Sequence, residues 1–349
     1  MTVSPFDHPY LSGLFGDTEI ASQFSAAAEI ETMLAFETAL AAVEAREGVI
    51  PLDASSRIAD VLKHFSPDMP ALREAVGRDG VVVPELIRQL RQAVGDANDR
   101  NVHFGATSQD VIDTSLMIRL SRIRAILDER MRDLLSDLKH LEQLHGANRL
   151  MGRTRMQAAI AITVSDRLRA WSGPLERHAD ALLHCVFPVQ FGGAAGTLDA
   201  MGDKEAAAVR AGLAAALDLA DRPQWQSQRD TIAGFAGLLS LITGALGKIG
   251  QDAAFLAQDG SEIVLSGGGA SSAMTHKQNP VHAEILVTLA RFNATQLSGM
   301  HQALVHEQER SGSAWSLEWL LLPQMAVATG ASLRLGKSLV GSIVRMGNS

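Results

Sequence analysis

From Thr107 to His145 the chain runs without a glycine or a proline. Ile112, Leu116, Ile123, Leu127, Leu134, Leu138 and Leu141 recur through it at helical steps, while Arg, Asp and Glu fill the other face. Thr107-Ser108-Gln109-Asp110 has the form of a capping box, with an acid in the first turn. Gly146 closes the run. At 1.5 Å per residue, such a helix is roughly 60 Å long. That exceeds the width of a small domain. The spacing therefore predicts a long bundle, shared between chains.

The rest of the composition agrees with helices. Of 349 residues 46% are apolar but only 5% aromatic, with one tyrosine, and alanine is abundant. Sheet proteins favour β-branched and aromatic residues, whereas alanine and leucine favour helices. The chain reads as all-α. It is too apolar for a disordered chain and lacks the Gly-X-Y period of a fibre. A net charge of −8 provides no basic face for nucleic acid. The single cysteine, Cys185, can form neither an intramolecular disulfide nor a thiolate zinc site, which fits a reducing cytoplasm. The N-terminus carries Asp7 and His8 and no basic segment leading into an apolar one, so it does not read as a secretory signal. Residues 231–247 carry no charge. Four glycines, two threonines and a serine dilute that stretch, and Asp230 and Lys248 bound it. It reads as a helix buried on all sides rather than as a membrane span.

Further helices are expected at Glu19–Glu47, ended by Gly48 and Pro51, and at about 156–184, broken near Gly173-Pro174. Others are expected at 230–258, 280–309 and about 313–345. Shorter helical pieces fill 53–100, punctuated by Pro67, Pro70, Gly77, Gly80 and Pro84. The best strand candidates are 81–83 and 187–191. A boundary near Asn98–Asn101 separates an N-terminal helical domain, 1–100, from a long-helix domain, 101–349.

The segment with the most chemistry is 266–280, SGGGASSAMTHKQNP. Three glycines give little intrinsic order between two long helices, and a helix can begin at Pro280. A flexible linker would account for the glycines. It would not account for adjacent serines, an imidazole, an ammonium and a carboxamide within nine residues. A mobile loop that closes over substrate has this composition. The spacing of a phosphate loop is absent, and no strand precedes the serines as a nucleophile elbow requires. His301 and His306 are five apart and do not share a helix face. Neither a metal nor a cofactor is expected.

Four other clusters carry polar groups. His103-Phe-Gly-Ala-Thr-Ser-Gln-Asp110 lies at the start of the long helix, where free N–H groups attract an anion. Gly152-Arg-Thr-Arg-Met-Gln157 places two cations and an amide before a helix, and 192–197 is GGAAGT. Gln228-Arg229-Asp230 precedes the uncharged helix.

Together these segments resemble the motifs of the fumarase/aspartase superfamily, in the expected order and over nearly the whole chain. GGGASSAMTHKQNP is similar to that family's signature loop, usually GSSxMPxKxNP, and HFGATSQDVIDT to its first motif. VVVPELIRQLR, QFGGAAGTL, ADRPQW and EQERSGSAWSLEW look most like its bacterial 3-carboxy-cis,cis-muconate cycloisomerases. The resemblance implies a helical protomer whose long helices form the core of a homotetramer, with each site built from three chains. It also implies the chemistry. A proton is exchanged at the carbon alpha to a carboxylate, through an aci-carboxylate, in intramolecular lactonisation of a small polycarboxylate. By resemblance Ser271 carries the proton, and Lys277 and Asn279 hold the carboxylate. His103, Thr107, Ser108, Arg155, Gln157, Thr197, Arg229, Ser272, His276 and Arg310 bind substrate. No nucleic-acid or membrane partner is implied.

Two departures bear on the chemistry. Amine-expelling lyases of the superfamily usually carry histidine at the place of Arg155, because an amine leaves only with a proton. A carboxylate, with a pKa of about 4, needs none. Arg155 thus favours the cycloisomerase over a succinyl-amine lyase. A sulfomuconate cycloisomerase is an equal match to these residues, and a non-catalytic scaffold has no use for Ser271, Lys277 and Asn279. Thr275 replaces the usual loop proline and frees the backbone there. The chain runs only some seventy residues past the loop, so the usual C-terminal domain is expected to be absent or vestigial.

Overall fold

The computed structural model describes residues 3–95, 97–258, 260–270, 274 and 278–348, and Ala270 and Gln278 by backbone alone. Helices dominate. α1 (Ser12–Phe15), α2 (Thr18–Ser22), α3 (Ala26–Arg46), α4 (Leu52–Leu62), α5 (Met69–Asp79) and α6 (Val83–Val94) precede the long helix α7, Ser108–His145. A two-stranded hairpin follows, β1 (Arg149–Thr154) and β2 (Gln157–Thr163), then α8 (Val164–Leu183), α9 (Asp203–Ala216) and α10 (Asp230–Ala257). β3 (Ile263–Leu265), β4 (Gly269–Ala270) and β5 (Gln278–Asn279) lead into α11 (Val281–Gln302), α12 (Gly312–Gly341) and β6 (Ile343–Met346).

The expected long helix is present to within a residue. Asp110 accepts the Thr107 N–H at 3.0 Å, the reciprocal half of the capping box. The uncharged segment is α10, but it is not buried on all sides: 61% of its most apolar stretch is buried, while Gly234, Leu241 and Gly244 are exposed. Three further expectations fail. The single helix over Glu19–Glu47 is two, because Ser25 caps the second by accepting the Ala28 N–H at 3.2 Å. The helix over 156–184 starts only at Val164, and the 149–163 stretch is a hairpin. Pro174 does not break that helix but lies inside it. Alternating small and β-branched residues in QAAIAIT fit a strand as well as a helix turn, and Thr163 with Asp166 forms the capping box that marks the true start. The strands expected at 81–83 and 187–191 are instead a helix entry and an irregular segment with a single bridge, Pro188 to Ala220.

Two apolar clusters form the interior. The larger runs along α7, α8, α10, α11 and α12. The smaller joins α3, α4 and α6 to the first turns of α7, and also draws in Val189, Phe191, Val209 and Leu213. Residues from 189 to 214 thus pack with the N-terminal helices, although they lie far beyond residue 100 in sequence.

Glu44 of α3 is fully buried, and among the described residues neither carboxylate oxygen has a hydrogen-bond partner. Burial first, and then the nearby Glu37, pushes its pKa up to about 9. The carboxyl is therefore neutral in the folded chain at pH 7 but ionised in the unfolded one. Its contribution to stability is most favourable below the ordinary value of 4.5 and is lost as pH rises towards 9. Glu44→Gln is expected to raise the thermal midpoint over wild type at pH 8, with the difference shrinking towards pH 5. A difference that is the same at both pH values would show that Glu44 does not titrate in this way.

Candidate active site

The first turns of α7 are buried on every face although they are polar. Gln109, Asp110, Asp113, Thr114 and Ser115 are all inaccessible, and each has a partner, as burial requires. Thr114 donates to the Gln190 carbonyl at 3.0 Å, and Ser115 shares a 2.6 Å bond with Thr32. Asp110 also accepts the backbone N–H groups of Gly192 and Gly193, both at 2.9 Å, and the Gln190 amide at 3.1 Å. Burial pushes its pKa up to about 6 against the pull of those donors. One carboxylate thus joins Thr107 and Ser108 to the GGAAGT turn. That turn depends on glycine at Gly193 and Gly196, with φ of +66° and +89°.

Arg310 is attached to the same place. Its Nε donates to Gln109 at 2.8 Å and its Nη2 to the Ala194 carbonyl at 3.2 Å. His103 stands before Thr107, with Nδ1 2.7 Å from Glu37. His103, Thr107, Ser108, Thr197 and Arg310 are therefore gathered at one end of the bundle, with Thr197 and Arg310 exposed.

Arg229 is expected from sequence to meet a substrate carboxylate, and the structure corrects this. Its guanidinium is 1% exposed and lies between two carboxylates of its own chain. It donates to Asp113 at 2.5 and 3.0 Å and to Glu318 at 2.9 and 2.6 Å. The Trp225 ring packs 5.0 Å from it, and Trp315 Nε1 donates to Asp113 at 3.1 Å. Four of its five N–H donors are taken by these two carboxylates, and the side chain is closed off from solvent. Asp113 and Glu318 escaped the sequence reading. The available signal was an acid three residues after Asp110, on a helix face otherwise given to Ile112 and Leu116.

The other expected residues lie at the opposite end. Arg155 and Met156 form the tip of the β1–β2 hairpin, and Arg155 and Gln157 are exposed. Arg155 lines a 710 Å³ cavity together with Arg153, Arg167, Lys248, Asp252 and Glu262. Arg153 pairs with Glu262, and Lys248 and Arg167 pair with Asp252. Four cations against two carboxylates leave the cavity positive. Asn279 lies in β5, opposite Gly269 of β4. A Cβ at Gly269 would lie 2.5 Å from Val281, so this glycine of the triplet is there for close approach. Ser271, Ser272, Thr275, His276 and Lys277 lie outside the described residues.

Two tests follow from these contacts. Arg229→Met leaves two buried carboxylates facing each other and should cost about 3–5 kcal/mol in denaturant unfolding. Lys337→Ala, which breaks an exposed pair with Asp133, should cost far less, because solvent screens the pair. Equal losses would deny Arg229 its buried role. At the hairpin tip, Arg155 and Met156 have φ of +48° and +66°, as a type I′ turn demands, yet Asn-Gly is the sequence that suits it. Replacing the pair by Asn-Gly should stabilise the fold by about 1 kcal/mol and raise the thermal midpoint. An unchanged or lower midpoint would show that the tip is unstrained.

The comparisons with known proteins agree with the fold. A model of a family described as lyase matches residues 17–295. The chain is 38% identical to a 3-carboxy-cis,cis-muconate cycloisomerase of Pseudomonas aeruginosa over 89% of its own length and 70% of that protein's. It is 33% identical to the enzyme of that name from Acinetobacter baylyi, over 92% and 74%. The crystal structure of the 3-carboxy-cis,cis-muconate lactonizing enzyme from Pseudomonas putida superposes with a TM-score of 0.87 at 32% identity, covering 96% of this chain and 76% of that one. The chain belongs to this lyase family, the fumarase/aspartase superfamily of fold and sequence.

Proposed function

We propose that this protein is a cycloisomerase that converts 3-carboxy-cis,cis-muconate into its carboxymuconolactone, a step of aromatic-compound breakdown in the cytoplasm. Four relatives at 33–38% identity carry that activity in their names, and this agreement is the observation that carries the reading. The chemistry of position 155 supports it. An arginine cannot give up a proton to a departing amine, but lactonisation expels nothing and instead needs a carboxylate held in place.

The substrate bears three carboxylates. One adds through oxygen to the double bond, and the electron pair moves onto the carbon alpha to another carboxylate as an aci-carboxylate. Ser271 gives its hydroxyl proton to that carbon, the dianionic lactone leaves, and the serine alkoxide takes a proton back from water. Lys277 and Asn279 supply a charge and a donor to the aci-carboxylate as it forms. His103, Thr107, Ser108, Thr197 and Arg310 hold carboxylates at one end of the bundle, and Arg155 and Gln157 at the other, with Ser272 and His276 completing the loop.

Those two ends cannot meet within one chain. α7 separates Thr107 from the hairpin by its 38 residues, roughly 57 Å. Asn279 lies at the hairpin's end of the bundle, where it lines a cavity with Gln258, a residue that also lines the cavity of Arg155. A complete site therefore needs residues of more than one protomer, and the reading makes the enzyme a homotetramer with shared sites. An exposed, uncharged face of α10, comprising Gly234, Leu241 and Gly244, supports helix packing between copies.

The decisive measurement follows the loss of ultraviolet absorbance of 3-carboxymuconate. Wild type should turn over, and Ser271→Ala and Arg310→Ala should each fall by at least a hundredfold. Mixed and reassembled, the two variants should regain activity that neither has alone, since some sites then receive both intact residues. No turnover by wild type would reject the reaction. Turnover without complementation would reject the shared site.

A further inference from the structure

Glu37 and Glu44 stand two turns apart on α3, and both are buried, at 2% and 0% exposure. Two acids on a buried helix face are expensive unless each is neutralised or partnered. Glu44 stays protonated, as described above, and adds no negative charge. Glu37 has a partner, the Nδ1 of His103 at 2.7 Å. The His103 ring is itself only 11% exposed, and its backbone is held at φ +62°. A left-handed histidine persists only where its surroundings enforce it. Glu37 comes from the N-terminal helices, yet it reaches the loop that leads into Thr107 and Ser108. With Nδ1 committed to a carboxylate, Nε2 is the nitrogen left to act elsewhere.

We infer that Glu37 is a positioning residue for His103, holding the ring so that Nε2 faces a carboxylate of the muconate bound over Thr107 and Ser108. The inference rests on the cycloisomerase reading and deepens it. A carboxylate-backed imidazole supplies a hydrogen-bond donor, and in its cationic form a charge, to a polyanion. The ring keeps its proton throughout. Carbon protonation stays with Ser271, so the balance of the reaction is unchanged. The bond also links α3 to the 103–107 loop, and a purely structural clamp would use the same contact. The test must separate the two.

Glu37→Leu and Glu37→Gln are made in wild-type and His103→Asn backgrounds, and kcat and KM are measured with 3-carboxymuconate. Glu37→Leu should lower kcat/KM by about 10–100-fold, the worth of a hydrogen bond to a charged group. Glu37→Gln, whose amide oxygen can still accept Nδ1–H, should recover most of the loss in KM. In the His103→Asn background neither change should cost more than about twofold, because the partner it acts through is gone. Equal losses in both backgrounds, or none in either, would overturn the inference. Diethyl pyrocarbonate with peptide mass mapping gives a readout that needs no turnover. His103 should take one adduct in wild type and two in Glu37→Leu, where Nδ1 is released. If wild type does not turn over the muconate, the functional reading fails, and the adduct pattern alone decides the positioning. The same pattern in both proteins would then overturn it.

Discussion

Arg229 lies between Asp113 and Glu318, out of contact with solvent, and the arrangement of the bundle's upper end depends on that pairing. Each residue comes from the start of a different long helix: Asp113 from α7, Arg229 from the cap of α10 and Glu318 from α12. Three helix N-termini converge there, and each presents unpaired N–H groups and the positive end of its dipole. That explains why two carboxylates share one guanidinium. The surplus negative charge sits where helix dipoles favour it, and Trp315 and Gln109 donate further hydrogen bonds to Asp113. Burial raises the pKa of Glu318, Arg229 opposes the shift, and Asp113 adds to it. A charge network of this kind is poor as a source of stability compared with apolar packing. What it fixes is geometry, because three helices must arrive in one register for these four hydrogen bonds to form.

The network reaches outward in steps. Asp113 holds Gln109, Gln109 holds Arg310, and Arg310 reaches the GGAAGT turn through Ala194. Asp110, one turn earlier, holds that turn and the loop of Thr107. Arg310, the loop of Thr107 and the GGAAGT turn at this end are therefore anchored, directly or one contact away, by buried carboxylates. Preorganisation of that kind is what an active site needs if its donors are to stabilise charge that appears only during reaction.

How much of this could be read from the sequence follows from the range of the forces involved. α7 was legible because its signal is local: a capping box, an apolar stripe and no breakers over 38 residues. The uncharged α10 and the order of the motifs were legible for the same reason. The hairpin over 149–163 was not, since its strands are short and solvent-facing and its turn uses Arg155-Met156 instead of the Asn-Gly that would announce it. Arg229 looked like a ligand for substrate because a cation beside an apolar helix needs a counter-charge. Sequence cannot say that the counter-charges come from Asp113 and Glu318, 116 and 89 residues away. Glu37 was hidden in the same way, on a helix that carries no motif.

The overall charge of −8 sets the last constraint. A trianion approaching an acidic protein is repelled at long range, and beyond about 10 Å salt screens that repulsion at ordinary ionic strength. Only the local balance then matters. At one end it is supplied by Arg310 and helix N-termini, at the other by a cavity in which four cations face two carboxylates. Neither end alone has enough positive charge for three carboxylates. In the homotetramer proposed above, the two ends of different protomers would sum their charges at one site. An acidic chain would then hold a polyanion by local positive charge drawn from more than one copy, against its own net charge.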